Sequence, residues 1–132
     1  MTEEEIEETK QNILALTRSI MNNCYILEGK SPRKCKSVKE YIDFDRPNLK
    51  RIARTHIGGA TVSTVFLMHD HNWHLDGLPI LFETMVFGGD MDGYQERYSS
   101  YDEAIEGHKR ICEMAEGREI FCLTALADNK QP

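Results

Sequence analysis

Along the first part of the chain the apolar positions Ile6, Ile13, Leu16, Ile20, Cys24 and Leu27 recur at steps of three, four or seven, which is one stripe on an α-helix. Thr2 followed three residues later by Glu5 has the pattern of a capping box, and Glu3, Glu4 and Glu5 sit where a helix start favours negative charge. Gly29 predicts the end of that helix, and SPRK (31–34) reads as a loop. Residues 37–43 suit a short helix. Asp45 before Arg46-Pro47 reads as an N-cap with proline in the first turn, opening a second helix to about Thr55.

At Gly58-Gly59 the pattern changes. TVSTVFLM (61–68) and ILFETMVF (80–87) are rich in β-branched and aromatic residues and predict strands. Their connection, 69–79, ends in the turn residues Asp76-Gly77 and Pro79. GGDMDG (88–93) is a second turn, and YQERY (94–98) alternates as a third strand, giving an antiparallel meander. Ser100 with Glu103 predicts another capped helix, to about Glu116, with Ala104, His108, Ile111, Cys112 and Ala115 on one side. Gly117 would end it, and EIFCLTAL (119–126) would return as a final strand. The class is α+β: a helical N-terminal half, then βββαβ, in a single domain spanning 1–132 without repeats or long linkers.

Charge sharpens this picture. The net charge is −6, which argues against a nucleic-acid polymer as partner. Yet residues 30–56 hold nine of the sixteen lysines and arginines and only three acids, Glu40, Asp43 and Asp45. A basic segment in an acidic chain implies either a local anion site or charge pairing, for instance with the acidic first helix. No apolar run approaches the roughly 18 residues that span a bilayer. The start MTEEEIEETK lacks the features of a signal peptide, so the expected compartment is the cytoplasm. Cys24, Cys35, Cys112 and Cys122 form no CxxC pair and are expected as free thiols.

HDHNWH (69–74) is the densest concentration of metal-ligand types. His69, His71 and His74 follow an HxHxxH spacing, but they fall in a strand connection, no HExxH glutamate accompanies them, and Asp70 and Asn72 are turn formers. A polar loop is the expectation, with a small metal-dependent nucleotide hydrolase as the alternative. The chain has no GxSxG elbow, no P-loop and no GxGxxG before a helix. Anion and base contacts are better served. Arg51 and Arg54 lie three apart, Lys109 and Arg110 are adjacent, and Phe82, Phe87, Tyr94, Tyr98 and Trp73 cluster in or beside the predicted strands.

The order VSTVFL (62–67), DHN (70–72), LFETMVFGG (81–89), the Asp92-Gly93 turn, the tyrosine-ending strand and Gly107-His108 in an acidic helix covers about a third of the chain. In these features the segment resembles the Thoeris anti-defence 1 family of phage and prophage proteins. These are sponges that sequester the cyclic ADP-ribose isomers made by bacterial TIR-domain immune enzymes, and some relatives also capture cyclic oligonucleotides. The resemblance implies a protein of the bacterial host cytoplasm that is no enzyme and needs no cofactor. It implies a homo-oligomer, dimers or an assembly of dimers, holding a cyclic messenger such as glycocyclic ADP-ribose intact in pockets between protomers. By position, Phe82 would stack on adenine, Asp92 would face the base, and Lys109 and Arg110 would face the phosphates. Asp92 can accept from an exocyclic amine but cannot donate, and Lys109 lacks the guanidinium fork. Arg51 and Arg54 join these as ligand-binding candidates on charge alone.

Overall fold

The structure is a computed structural model that describes residues 1–72 and 76–128, with side chains through Gly117 and without that of Ile20. It has a helical front and a four-stranded antiparallel sheet backed by one long helix. Helix α1 is Glu3–Asn23, opened by the expected capping box: Glu5 N donates to Thr2 Oγ1 at 3.2 Å and Thr2 N donates to Glu5 Oε2 at 3.1 Å.

The helix stops at Asn23 rather than at Gly29. Tyr25–Glu28 forms strand β1 and Ser31–Lys34 forms β2, so the SPRK loop is a strand, turned by Gly29 at φ 61°. The aromatic and branched residues Tyr25 and Ile26 suit an extended backbone, and pairing with β2 satisfies amides that a fraying helix end would leave to water. Helix α2, Val38–Phe44, is capped by Ser37.

Helix α3 is the single turn Pro47–Lys50, and strand β3, Arg51–Ile57, follows it directly. This corrects the expected helix to Thr55, and the N-cap is Arg46, without a side-chain hydrogen bond, rather than Asp45. The reason is tertiary. Gly58, at φ 56°, turns the chain so that β3 pairs along its length with β4, Ala60–Phe66, and this ladder outweighs local helix signals. The meander therefore has four strands, β3-β4-β5-β6, with β5 Phe82–Phe87 and β6 Gln95–Tyr98. Gly88 is needed at the next turn: at φ 82°, a Cβ there would lie 2.4 Å from the Gly59 carbonyl oxygen.

Helix α4 starts where expected, with Glu103 N donating to Ser100 Oγ at 3.1 Å, but runs unbroken over Tyr101–Asp128. The expected final strand at 119–126 is helix. Gly117 is exposed, with open space around it, and one interior glycine costs only about 1 kcal/mol, which the glutamate, leucines and alanines that follow offset by propensity.

Helix α4 covers one face of the sheet. Along β4 and β5 the residues pointing to it, Ala60, Val62, Thr64, Phe66, Phe82, Thr84 and Val86, are buried, and their neighbours are half-buried or exposed. The core divides into two clusters. One gathers Cys24, Ile26, Cys35, Phe66, Met68, Leu81, Phe82 and Tyr98; the other gathers Ile57, Val62, Val86, Met91 and Ile111. Cys24, Cys35 and Cys112 are free thiols, and Cys122 lies outside the described side chains. No helix among the described residues is long and apolar enough to cross a membrane.

Candidate functional site

The histidine loop is a structural joint. Tyr25 N donates to the Met68 carbonyl at 2.6 Å and Asp70 N to the Asn23 carbonyl at 3.3 Å, so residues 68–70 fasten the end of α1 and the start of β1 to the sheet. Each described polar side chain has a local partner. Asp70 Oδ1 accepts from the amides of Asn72 and Ile80 at 2.8 and 2.9 Å, Asn72 Nδ2 donates to the carbonyls of Asp76 and Leu78, and His71 Nδ1 donates to the His69 carbonyl at 2.7 Å. His69 Nε2 meets the Tyr41 hydroxyl at 3.2 Å. Trp73 and His74 lie outside the described residues. Among the described residues no three His, Cys, Asp or Glu side chains converge as metal ligands.

The basic segment resolves into pairs and a remainder. Its three carboxylates are engaged by its own cations: Glu40 takes Arg33 through both oxygens at 2.7 and 2.6 Å, Asp43 takes Lys39 at 2.9 Å, and Asp45 takes Lys50 at 2.6 Å. Arg33 also meets Glu28. The Arg33 guanidinium and then the Lys36 amide pull the Glu40 carboxyl down to about 2. Among the described residues no ion pair joins this segment to the acidic first helix, the other reading of its charge. Arg51 and Arg54 have no carboxylate within ion-pairing distance among the described residues.

Arg51 and Arg54 come together on the sheet face opposite α4. Arg51 sits opposite Val65 and Arg54 opposite Ser63 in the β3–β4 ladder, so all four share that face. With Pro47, Lys50, Phe66 and Leu67 they line a recess of about 320 Å³. Its apolar side is Pro47, Val65 and Leu67; its polar rim is Lys50, Arg51, Arg54 and Ser63. That volume falls at the lower end of small-molecule sites, and the composition suits an anion with an apolar or planar body. Sequence reasoning missed Ser63 and Val65 as site residues. The signal was their alternation in VSTVF, readable only once 51–57 is recognised as the neighbouring strand.

The other candidates do not join this recess. Phe82 is completely buried beneath α4, its ring edge-on to Phe66 and Tyr101 at centroid distances of 5.3 and 6.2 Å; it has no free face for an adenine, which corrects that assignment for the single chain. Asp92 lies on the β5–β6 turn beside a separate shallow recess, and its Oδ1 accepts from Gly88 N at 2.7 Å. On α4, Arg110 forks onto both oxygens of Glu96, which holds that carboxyl below the usual range, and Lys109 reaches Glu106 only at 4.0 Å.

The motif residues instead build a buried hydrogen-bond chain. Tyr98 OH donates to Thr84 Oγ1 at 3.1 Å, Thr84 and Thr64 hydroxyls meet at 2.5 Å, Thr64 Oγ1 meets His108 Nδ1 at 2.7 Å, and His108 Nε2 meets Thr55 Oγ1 at 2.9 Å. Burial lowers the His108 pKa, so the ring is neutral near pH 7 and must accept on one side and donate on the other. One proton order satisfies the sequence of contacts: Tyr98 to Thr84 to Thr64 to Nδ1, with Nε2–H donating to Thr55. Gly107 admits this arrangement, since a Cβ there would lie 2.2 Å from the Tyr98 hydroxyl. VSTVFL, LFETMVFGG, the strand tyrosine and Gly107-His108 thus each contribute to one core element.

Comparison of the chain with family models, with curated proteins and with solved structures gave no match.

Proposed function

We propose that this protein binds and holds a small anionic, nucleotide-derived ligand of the cyclic ADP-ribose type without breaking it, as a phage-encoded sponge that blocks Thoeris defence. The observation that carries the reading is the pair Arg51 and Arg54, left without carboxylates in a segment whose acids are all engaged, at the rim of one recess with an apolar side. Two guanidinium forks match pyrophosphate oxygens, Ser63 adds a hydroxyl, and Val65 and Leu67 give a base or ribose an apolar surface. Lys50 contributes less, because Asp45 already engages its ammonium. The resemblance of residues 62–108 to the Thoeris anti-defence 1 family supplies the messenger class, with cyclic oligonucleotides as a second ligand class and a homo-oligomer in the bacterial cytoplasm as the working form.

A sponge needs affinity and abundance but no turnover. Competing with a receptor calls for a Kd near nanomolar, on the order of −12 kcal/mol, beyond what a shallow site on one chain ordinarily supplies. A second protomer closing over the open recess would add the remainder. The test is isothermal titration against a panel of cyclic ADP-ribose isomers and cyclic oligonucleotides, followed by heat release and mass analysis. One isomer should bind and return unmodified, and Arg51→Ala or Arg54→Ala should each weaken it by about 10- to 100-fold, the value of a lost charged hydrogen bond. Absence of binding across the panel, or a degraded product, would sink the reading.

A further inference from the structure

Cys24 and Cys35 face each other across the neck of the β1–β2 hairpin. The ladder pairs Tyr25 with Lys34, and one step further out Cys35 N donates to the Cys24 carbonyl at 2.9 Å, so the two cysteines stand directly opposite. Opposite residues of an antiparallel pair point to the same face, and both side chains enter one core cluster with Ile26, Phe66 and Met68. Both are free thiols. Cys24 is fully buried and Cys35 is 5% exposed.

Two thiols on one rung can fill space, hold a metal or join. Among the described residues no third His, Cys, Asp or Glu side chain converges on them, so a metal would lack ligands. Joining fits the backbone. Opposite Cα atoms of a hydrogen-bonded antiparallel pair lie about 5.5 Å apart, within the span a disulfide bridges. Opposite Cβ atoms, about 4.5–5.5 Å apart, are somewhat wider than the disulfide mean, so the bond would form against slight strain and be readily reduced.

The closed structure favours the reduced pair. Burial, and then the thiol of Cys35 beside it, push the Cys24 thiol up, so it keeps its proton and is a poor nucleophile. The hairpin is docked by Tyr25 N on the Met68 carbonyl and Asp70 N on the Asn23 carbonyl. Asp70 is itself held by the amides of Asn72 and Ile80.

We propose that Cys24 and Cys35 are a redox modification site. When the hairpin opens from the sheet, they close into a reversible cross-strand disulfide by exchange with a low-molecular-weight disulfide, of which oxidised glutathione is the probe. Cys35, the less buried sulfur, attacks one sulfur of the reagent. The reagent's S–S bond breaks, and its first thiol leaves with the Cys35 proton. Cys24 then attacks the Cys35 sulfur, forming the new S–S bond and releasing the second thiol with the Cys24 proton. Two protein thiols are oxidised and one small disulfide is reduced to two thiols. The bond fastens the end of α1 to the residue after β2 and fixes the hairpin between them. The inference is independent of any ligand at the arginine recess.

Treating the native full chain with oxidised glutathione tests it by mass spectrometry. Wild type should become two hydrogens lighter, carry no glutathione at this pair, and yield tryptic peptide 19–30 joined to Cys35. Cys24→Ser should stop at a glutathione adduct on Cys35, because the resolving sulfur is gone. Asp70→Ala loosens the dock and should speed cross-linking by about tenfold or more, the effect of a lost buried hydrogen bond on local opening. In the oxidised protein, exchange of the Cys35 amide should slow by at least about tenfold, since the cross-link restrains the open hairpin. Excess reduced glutathione should restore the thiols. A cross-link that forms only in the urea-unfolded chain, or a wild-type adduct on Cys35 that never resolves, overturns the proposal. An Asp70→Ala rate equal to wild type overturns the gating by the hairpin, and a bond that reduced glutathione cannot reopen overturns its reversibility.

Discussion

Thr64 and Arg54 belong to adjacent strands of one sheet and face opposite ways. On the α4 side, Thr64 is completely buried and its hydroxyl has a partner in each direction, Thr84 and His108. On the other side, Arg54 carries a full charge beside a recess and has no carboxylate partner among the described residues. Buried polar groups must be matched inside the chain, because leaving one unpaired costs about 1–3 kcal/mol. Exposed charges carry no such requirement, and a charge left unmatched at a concave surface is free to meet something from outside. The difference teaches where to look. The motif residues concentrate on the side where polar groups are already satisfied, and the chemistry available to a ligand lies on the side where the sequence is less distinctive.

The largest effect should come from the crowded inner face. Gly107→Val forces a Cβ and its two methyl groups against Tyr98, and we expect at least about 3 kcal/mol of destabilisation by urea unfolding. A loss below about 1 kcal/mol would show that Tyr98 can step aside, and that the chain through Thr84 is not fixed. Next comes Thr64→Val, which removes the central hydroxyl and leaves Thr84 and His108 without it; about 1–3 kcal/mol is expected.

Mild acid should act more gently, through His108 on that face. The His108 pKa is lowered from its ordinary 6.5 by burial, so the folded state resists protonation that the unfolded state accepts. Its contribution is therefore intact above pH 6.5 and is lost progressively as pH falls below it. Wild type should lose stability on acidification through that window more steeply than His108→Gln; parallel pH profiles would refute the assignment. The smallest effect belongs to the outer face: Arg51→Ala and Arg54→Ala should each change stability by less than about 0.5 kcal/mol. A larger loss from either would mean that these arginines have structural work, and would undo the contrast between the two faces.

Much of the fold was legible because its signals were local. The Thr2–Glu5 and Ser100–Glu103 capping boxes, the Gly58-Gly59 turn and the β-branched runs of β4 and β5 need only neighbours along the chain. What was not legible depended on distant partners. RIARTHI (51–57) becomes a strand by pairing with β4, and SPRK becomes a strand by pairing with Tyr25–Glu28. The stretch 119–126 has branched and aromatic residues that suit a strand, but it simply continues a helix already nucleated at Ser100. At the site the same division holds. Arg51 and Arg54 were found by charge, and the arithmetic of their segment's acids explains why they remain unpaired. Phe82 was carried over by position from the family resemblance, whereas its register places it under α4.

The fastening of residues 68–70 to Asn23 and Tyr25 has a consequence for the order of assembly. Strands β3 to β5 and β5 to β6 join neighbours in sequence, so the sheet closes through short loops and one modest one. The β1–β2 hairpin instead meets the sheet through a contact some 45 residues away along the chain. Its docking surface, the Met68 carbonyl and the Asp70 amide, exists only after the loop between β4 and β5 has formed. The front of the molecule is therefore the last part to dock and the first to detach. Amide exchange at Tyr25 and Asp70 should accelerate together, ahead of the strands at Val62 and Val86.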